Sequence, residues 1–277
     1  MNVLSLFDGL SCGQIALNRA GIKYDNYFAS EIKPHAIKVT QYNYPNTIQL
    51  GDVRNIKAKD LPKIDLLCGG SPCQDFSQAN KERKGLKGEK SSLFFEYVRL
   101  LKELKPKYFL LENVSMDDYS YQFISETLGT YPVNINSELV SGQLRQRSYW
   151  TNIGSESFDL FGNRYSMIPQ PKNKNIMLQD ILESGKTDRQ KSLCIMARYK
   201  TSAPIRAKYE KRYKMGMLQI VYDNEHRLLT TKEIERLQTV PEGYVDNVPG
   251  ISENMKANLL GDGWTVDVIA HIFSFLK

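Results

Sequence analysis

No stretch of about eighteen or more apolar residues occurs anywhere in the 277-residue chain, so no membrane-spanning helix and no membrane partner are expected. The opening run, Met1 to Gly9, holds an acid and a glycine within its apolar stretch and lacks the basic start of a secretory signal. Cysteine is sparse: Cys12, Cys68, Cys73 and Cys194 have neither the paired spacing of a zinc site nor the density of a disulfide framework. Free thiols, no metal and a reducing, cytoplasmic compartment are the expectation. Internal repeats and low-complexity tracts are also lacking. What remains is 41% hydrophobic, enough for one large core or for one domain with a smaller appendage.

The formal net charge is +6 and the isoelectric point is near 8.9. A basic balance favours a polyanionic partner only weakly, so its position matters more than its size. The segment from Arg189 to Lys214 is crowded with Lys and Arg and contains a single acid, Glu210.

From Val3 to Ile153 short apolar runs alternate with helix-period segments. Val3 to Phe7 and Tyr27 to Glu31 read as strands, Gln14 to Ala20 and Pro34 to Tyr44 as helices. Ile64 to Gly70 and Tyr108 to Asn113 read as buried strands flanking a helix from Ser92 to Lys105. Such alternation predicts an α/β fold with a parallel sheet, whose ligands and chemistry sit at the carboxyl ends of the strands. After Ile153 the periodicity weakens, and residues 154–225 are expected to form a smaller lobe. Helical pattern returns with Thr230 as N-cap and Glu233 completing a capping box, and a last helix is expected from about Thr265 to Leu276. One domain is therefore assembled from residues 1–153 and 226–277.

The first strand runs into Phe7-Asp8-Gly9-Leu10-Ser11-Cys12-Gly13, a glycine turn leading into a helix. Its spacing differs from the dinucleotide fingerprint, and Asp8 would repel a pyrophosphate. An acid there suits a cationic ligand such as S-adenosylmethionine, which carries a sulfonium and an ammonium. Glu31, at the end of the second strand, is placed to accept from ribose hydroxyls, and Asp52, after the third, from an adenine amino group. Taken singly, each acid is explained as readily by capping the next helix or facing water.

Five motifs follow one another in order: the turn just given, Gly70-Ser71-Pro72-Cys73-Gln74, Glu112-Asn113-Val114, Gln143-Leu144-Arg145-Gln146-Arg147, and Gly261-Asp262-Gly263-Trp264-Thr265-Val266. Together they closely resemble the cytosine-5 DNA methyltransferase family, in its compact form with a short target recognition region. The resemblance covers Val3 to about Ile153 and Arg227 to the end. It implies a Rossmann-like S-adenosylmethionine-dependent methyltransferase sheet with a small target recognition lobe at 154–225. Asp75 and Asp262 depart from the family pattern, where glycine and asparagine are commoner.

The resemblance implies a specific chemistry. Carbon 5 of cytosine is too weak a nucleophile to take a methyl group until a thiolate adds at carbon 6. Cys73 is the candidate thiolate and Glu112 the acid acting at ring nitrogen 3. Arg145 and Arg147, two apart on a strand, are open to clamping the base carbonyl, steadying Glu112 or holding a phosphate. By resemblance Arg145 is assigned to the base and Arg147 to support. The plain alternatives are an inert core cysteine, a turn-capping acid and surface ion pairs; each explains one residue and none explains all.

For the cofactor the resemblance implies Phe7, Asp8, Gly9, Ser11, Cys12 and Gly13 in the turn, and Glu31, Ile32, Asp52 and Val53 at the next two strand ends. Pro72, Leu93 and the closing Trp264, Thr265 and Val266 complete that set. Double-stranded DNA is the implied partner, with a cognate restriction endonuclease as a candidate companion and a bacterial or phage origin expected. Gln74, Ser77, Lys84 and Gln143 are DNA contacts near the chemistry; Arg198, Arg206, Lys208, Lys211, Arg212 and Lys214 are contacts in the smaller lobe. The charged stretch 78–90, with Gly85 and Gly88 as hinges, is expected to close over a flipped cytosine. Two rivals stand beside this reading. One is methylation of cytosine in tRNA by the same Cys and Glu chemistry; the other is a DNA-binding scaffold without turnover.

Overall fold

A computed structural model describes residues 1–71, 92–200 and 206–277. The first half alternates strand and helix as the apolar periodicity predicts: β1 (Asn2–Leu6), α1 (Cys12–Arg19), β2 (Asn26–Ser30), α2 (Pro34–Asn43), β3 (Ile48–Gln49), β4 (Leu66–Gly70), α3 (Ser92–Leu104) and β5 (Tyr108–Val114). Next come α4 (Asp118–Leu128), capped by the Asp117 carboxylate on the Ser120 amide, then β6 (Val133–Asn136) and β7 (Gln146–Thr151).

Among the described residues seven strands form one sheet, in the order β3-β2-β1-β4-β5-β7-β6. From β3 to β5 all pairings are parallel, and β7 runs antiparallel to both its neighbours. Strand order reverses between β1 and β4, the place where open α/β sheets leave a crevice beyond their carboxyl ends. Every other side chain faces the same way. Val3, Leu66, Cys68 and Leu110 pack with α1, α2 and a final helix, α9 (Val266–Phe273), whereas Leu4, Leu6, Leu67, Phe109 and Leu111 pack with Phe94, Tyr97 and Leu100 of α3 and Ile124 of α4. Burial on both faces is why these strands read as continuous apolar runs.

Among the described residues, two hairpins and two helices lie in residues 154–225 and their margin. They are β8 (Glu156–Phe158) with β9 (Arg164–Ser166), α5 (Leu178–Ile181), α6 (Arg206–Lys214), and β10 (Val221–Asp223) with β11 (Glu225–Arg227). Ile168, Leu178, Ile195, Tyr199 and Ile220 from this region join the same apolar cluster as α1 and α9. The chain closes with α7 (Thr231–Leu237), α8 (Glu253–Asp262) and α9 (Val266–Phe273). The expected capping box is present: the Glu233 amide donates to Thr230 Oγ1 at 3.1 Å, and the Thr230 amide donates to Glu233 Oε2 at 2.9 Å. No helix of the described residues is long and apolar enough to cross a membrane.

Candidate active site

A cavity of about 700 Å³ opens at the carboxyl ends of β1, β2, β4 and β5. Its nearer wall is the glycine turn. Phe7, Gly9 and Ser11 all take left-handed backbone conformations, at φ 57°, 58° and 58°, which folds the chain sharply between β1 and α1. Glu31 fixes this turn to the next element: its Oε2 accepts from the Gly9 amide at 2.8 Å, while its Oε1 accepts from the Ile32 and Lys33 amides, each at 2.8 Å. The carboxylate thus caps the approach to α2 and still lines the cavity, so the capping and the ligand-facing roles coexist. Asp52 caps the short turn Val53–Asn55 and is gripped by Arg54, whose hydrogen bonds hold the Asp52 carboxyl below its ordinary range. Phe7, Ile32, Val53 and Leu93 supply apolar lining around these acids.

Other residues expected at the cofactor lie beneath this wall. Asp8 points into the interior, where the Tyr27 hydroxyl donates to its Oδ1 at 2.8 Å and its Oδ2 has no hydrogen-bond partner. Burial pushes its carboxyl up to about 6, only partly countered by the hydroxyls of Ser5, Ser11 and Tyr27. Ser11 and Cys12 are buried, the Cys12 thiol reaching the Trp264 carbonyl at 3.8 Å, and burial pushes that thiol up to about 12. Gly13 packs on the Tyr27 hydroxyl, Thr265 bonds Gln238 and Ser137, and Val266 is core. Asp8 therefore does not offer its charge to a cation in the cavity, because the left-handed turn aims its side chain at the sheet.

The far wall carries the reactive groups. Glu112, near the end of β5, is 9% exposed and lines the cavity. Arg147 Nε lies 3.0 Å from its Oε1, and the Trp264 indole N–H donates to its Oε2 at 3.2 Å. Burial opposes the charge of Arg147, and the Glu112 carboxylate outweighs it. Asn113 turns the other way and donates to Ser71 Oγ at 3.1 Å, tying the end of β5 to the residue that follows β4.

Arg145 and Arg147 do not share one task. Arg147 opens β7 beside Glu112, but the Arg145 guanidinium is buried and donates to the carbonyls of Ile195 at 2.9 Å, Gly263 at 2.8 Å and Gly261 at 3.3 Å. Arg145 also lies 3.2 Å from the Cys194 sulfur. Burial raises that thiol, yet Arg145 and Arg147 together bring it below its ordinary value. Arg147 thus stands where a support for Glu112 belongs, whereas Arg145, although it reaches the cavity lining, has its guanidinium taken up in bracing two chain segments. Gln143, expected on DNA, is fully buried and donates to the Leu237 carbonyl at 2.8 Å and to Gln238 Oε1 at 2.9 Å. Those bonds correct the expectation, since a side chain sealed between β7's approach and α7 meets no duplex.

In the smaller lobe the basic helix appears as α6, with Lys208, Lys211 and Lys214 exposed and Arg206 at its start. Arg198 and Arg212 flank a second, smaller cavity with Cys194, Met196 and Met217. Pro72, Cys73, Gln74, Asp75, Ser77, Lys84 and the stretch 78–90 lie outside the described residues.

Comparison with known proteins places this geometry. Residues 1–117 match the family model described as C-5 cytosine-specific DNA methylase. Over 282 aligned residues the chain is 32% identical to the orphan methyltransferase M.Rho11sI of Bacillus phage rho11s, covering 96% of this chain and 53% of that protein. It is 34% identical over 204 residues to the type II methyltransferase M.NgoBV of Neisseria gonorrhoeae, covering 66% of this chain and 46% of that one.

The chain belongs to the C-5 cytosine-specific DNA methylase family.

This methylase-family chain spans about half the length of these two relatives. Among solved structures, the S. pombe Dnmt2 methyltransferase aligns over 100% of this chain and 98% of its own, with a TM-score of 0.71 at 20% identity. The Entamoeba histolytica methyltransferase EhMeth gives a TM-score of 0.71 at 16% identity, covering 100% and 99%. At such identity these neighbours establish the shared fold.

Three residues that shape the methylase-family site were not singled out from sequence: Lys33, Ser30 and Arg54. Lys33 forms an ion pair of 2.7 Å with Asp262 at the cavity rim, and Ser30 and Arg54 also line it. Lys33 follows Glu31 by two residues, and its likeness to any surface lysine hid it. Trp264 was legible as part of a motif, but its partner Glu112 lies 152 residues away, a separation that no local pattern bridges.

Proposed function

We propose that this chain is a DNA (cytosine-5-)-methyltransferase that moves a methyl group from S-adenosylmethionine to carbon 5 of a cytosine flipped out of duplex DNA. The observation that carries the reading is the buried Glu112 carboxyl, held on one oxygen by Arg147 and on the other by Trp264, at the cavity edge beside the end of β4. Cys73 follows β4 by three residues, and the family motif makes it the nucleophile.

The cavity suits the donor chemically. Its volume falls within the roughly 300–1,000 Å³ typical of sites for ligands of this size. Glu31 is positioned for ribose hydroxyls, Asp52 for an exocyclic amine, and Phe7, Ile32, Val53 and Leu93 for the faces of a purine. When bound, the cofactor supplies a methyl group activated by an adjacent sulfonium. The chain's own residues do the rest. The Cys73 thiolate adds to carbon 6 of the base, which drives electron density toward ring nitrogen 3. Glu112 furnishes the proton or hydrogen bond there, and Arg147 keeps the carboxyl aimed. Once carbon 5 is methylated, its proton leaves and the thiolate is expelled. Residues 154–225 serve in this reading as the target recognition domain, with α6 against phosphates.

The test uses duplex DNA containing 5-fluorocytosine, whose carbon-5 substituent cannot leave as a proton. With S-adenosylmethionine present, the native protein should form a covalent complex stable to denaturation, and Cys73→Ala should form none. An adduct that survives this substitution, or methyl transfer to tRNA and none to duplex DNA, would overturn the proposal.

A further inference from the structure

We propose, building on the methyl-transfer reading above, that Trp264 is a positioning residue for Glu112, and that Gly70 is glycine so that the indole and the carboxyl can meet. Three separate chain segments converge here: Gly70 closes β4, Glu112 lies near the end of β5, and Trp264 stands between α8 and α9. A methyl group on Gly70 would lie 2.8 Å from Glu112 Oε2 and 3.0 Å from Trp264 Nε1, so any side chain at position 70 wedges the pair apart. The indole nitrogen is donor only, and its single N–H is spent on Glu112 Oε2 at 3.2 Å.

The two oxygens of Glu112 thereby have different partners: the charge of Arg147 faces Oε1, and the Trp264 N–H is hydrogen-bonded to Oε2. Arg147 alone would leave the carboxyl free to rotate about its last bond, since a terminal sp² torsion is broad and only weakly staggered. With Trp264 on the second oxygen the plane of the carboxyl is fixed before a base arrives, which is the preorganisation that acid–base catalysis requires. Trp264 itself is placed by the strong bonds around it: the Gly263 carbonyl receives Arg145, and Thr265 is pinned by Gln238 and Ser137. The C-terminal motif therefore acts on the acid as well as on the cofactor side of the cleft.

The first arm of the test does not depend on turnover. The chain contains two tryptophans, Trp150 and Trp264, so its proton–nitrogen spectrum has two indole signals, and Trp264→Phe identifies which belongs to position 264. Glu112→Gln should shift the Trp264 indole signal and leave that of Trp150, whose N–H goes to Ser125 Oγ, in place. A Trp264 signal that does not respond would overturn the contact. The second arm replaces Trp264 by benzothienylalanine, which keeps the two-ring shape and exchanges N–H for sulfur. We expect kcat on duplex DNA to fall roughly tenfold, the scale of one lost charge-assisted hydrogen bond, with S-adenosylmethionine affinity within about twofold of native. Unchanged kcat, or a loss that lies wholly in cofactor affinity, would refute a positioning role. Should the native protein methylate no cytosine at all, the functional reading fails, and the spectral arm still decides the contact.

Discussion

At Asp8 a carboxyl is held under the glycine turn with one oxygen on Tyr27 and the other without a partner. Burial raises it from 3.8 to about 6, so the folded chain keeps this proton over a range in which the unfolded chain has lost it. The folded state binds more protons between about pH 4 and 6, and stability must fall as pH rises through that window. Above it the full penalty stands, about 3 kcal/mol for two pKa units. Asp8→Asn keeps the shape and removes the charge. Urea unfolding from pH 4 to 8 should show the native protein losing stability up to pH 6, with the variant flatter there and more stable at pH 7.5. Parallel curves for the two proteins would contradict the buried-charge account. The sequence revealed that an acid stood in the turn but not which way it faced, because orientation is set by the left-handed conformations at Phe7 and Ser11, which are not glycine.

Among elements, the bracing by Arg145 links the segment that leads into the smaller lobe with the end of α8. Arg145→Ala would take the charged donor from the carbonyls of Ile195, Gly261 and Gly263, leaving the first and last only long contacts to Cys194 and Gln238, a loss of about 3 kcal/mol, and should lower the urea midpoint strongly. Arg145→Lys should recover only part of this, since one ammonium on a flexible stem cannot reproduce the guanidinium fork. Gln143→Leu, which takes one of two donors from the Leu237 carbonyl and removes the acceptor of the buried Ile195 amide, is expected to cost about 1–3 kcal/mol while leaving DNA affinity intact. A selective loss of DNA binding in that variant would restore the original expectation for Gln143. The long elements were legible to within one or two residues at most ends: β1, α3 and β5 carry apolar runs or helical periodicity over five or more residues. The last helix stops three residues short of expectation, at Phe273. The hairpins β8–β9 and β10–β11 escaped notice because three-residue strands are too short to express a period. At the site, the strand-end acids Glu31, Asp52 and Glu112 were found in place, since topology alone delivers strand ends to one edge. The rim pair Lys33–Asp262 and the Trp264–Glu112 contact depend on the C-terminal fold-back, which periodicity does not encode.

For the molecule as a whole, the net charge of +6 is unevenly placed, and among the described residues α6 carries Lys208, Lys211 and Lys214 exposed on one short helix. If residues 154–225 hold duplex DNA through phosphates, affinity should depend steeply on salt, with each neutralised phosphate adding about 0.9 to the slope of log affinity against log salt. Replacing Lys208, Lys211 and Lys214 together by Gln removes three candidate contacts and should lower that slope by about 3. Gln keeps a helix-compatible side chain, so α6 should survive, and unfolding midpoints should match the native value. Because phosphate contacts carry no sequence information, the loss should be uniform across duplexes of different sequence. A flat response to the triple substitution would remove α6 from the interface and direct attention to the rim of the second cavity, where Arg198 and Arg212 stand beside Met196 and Met217. In that case substitution at the rim should weaken binding to some sequences more than others, the behaviour of groups that meet base edges rather than the backbone.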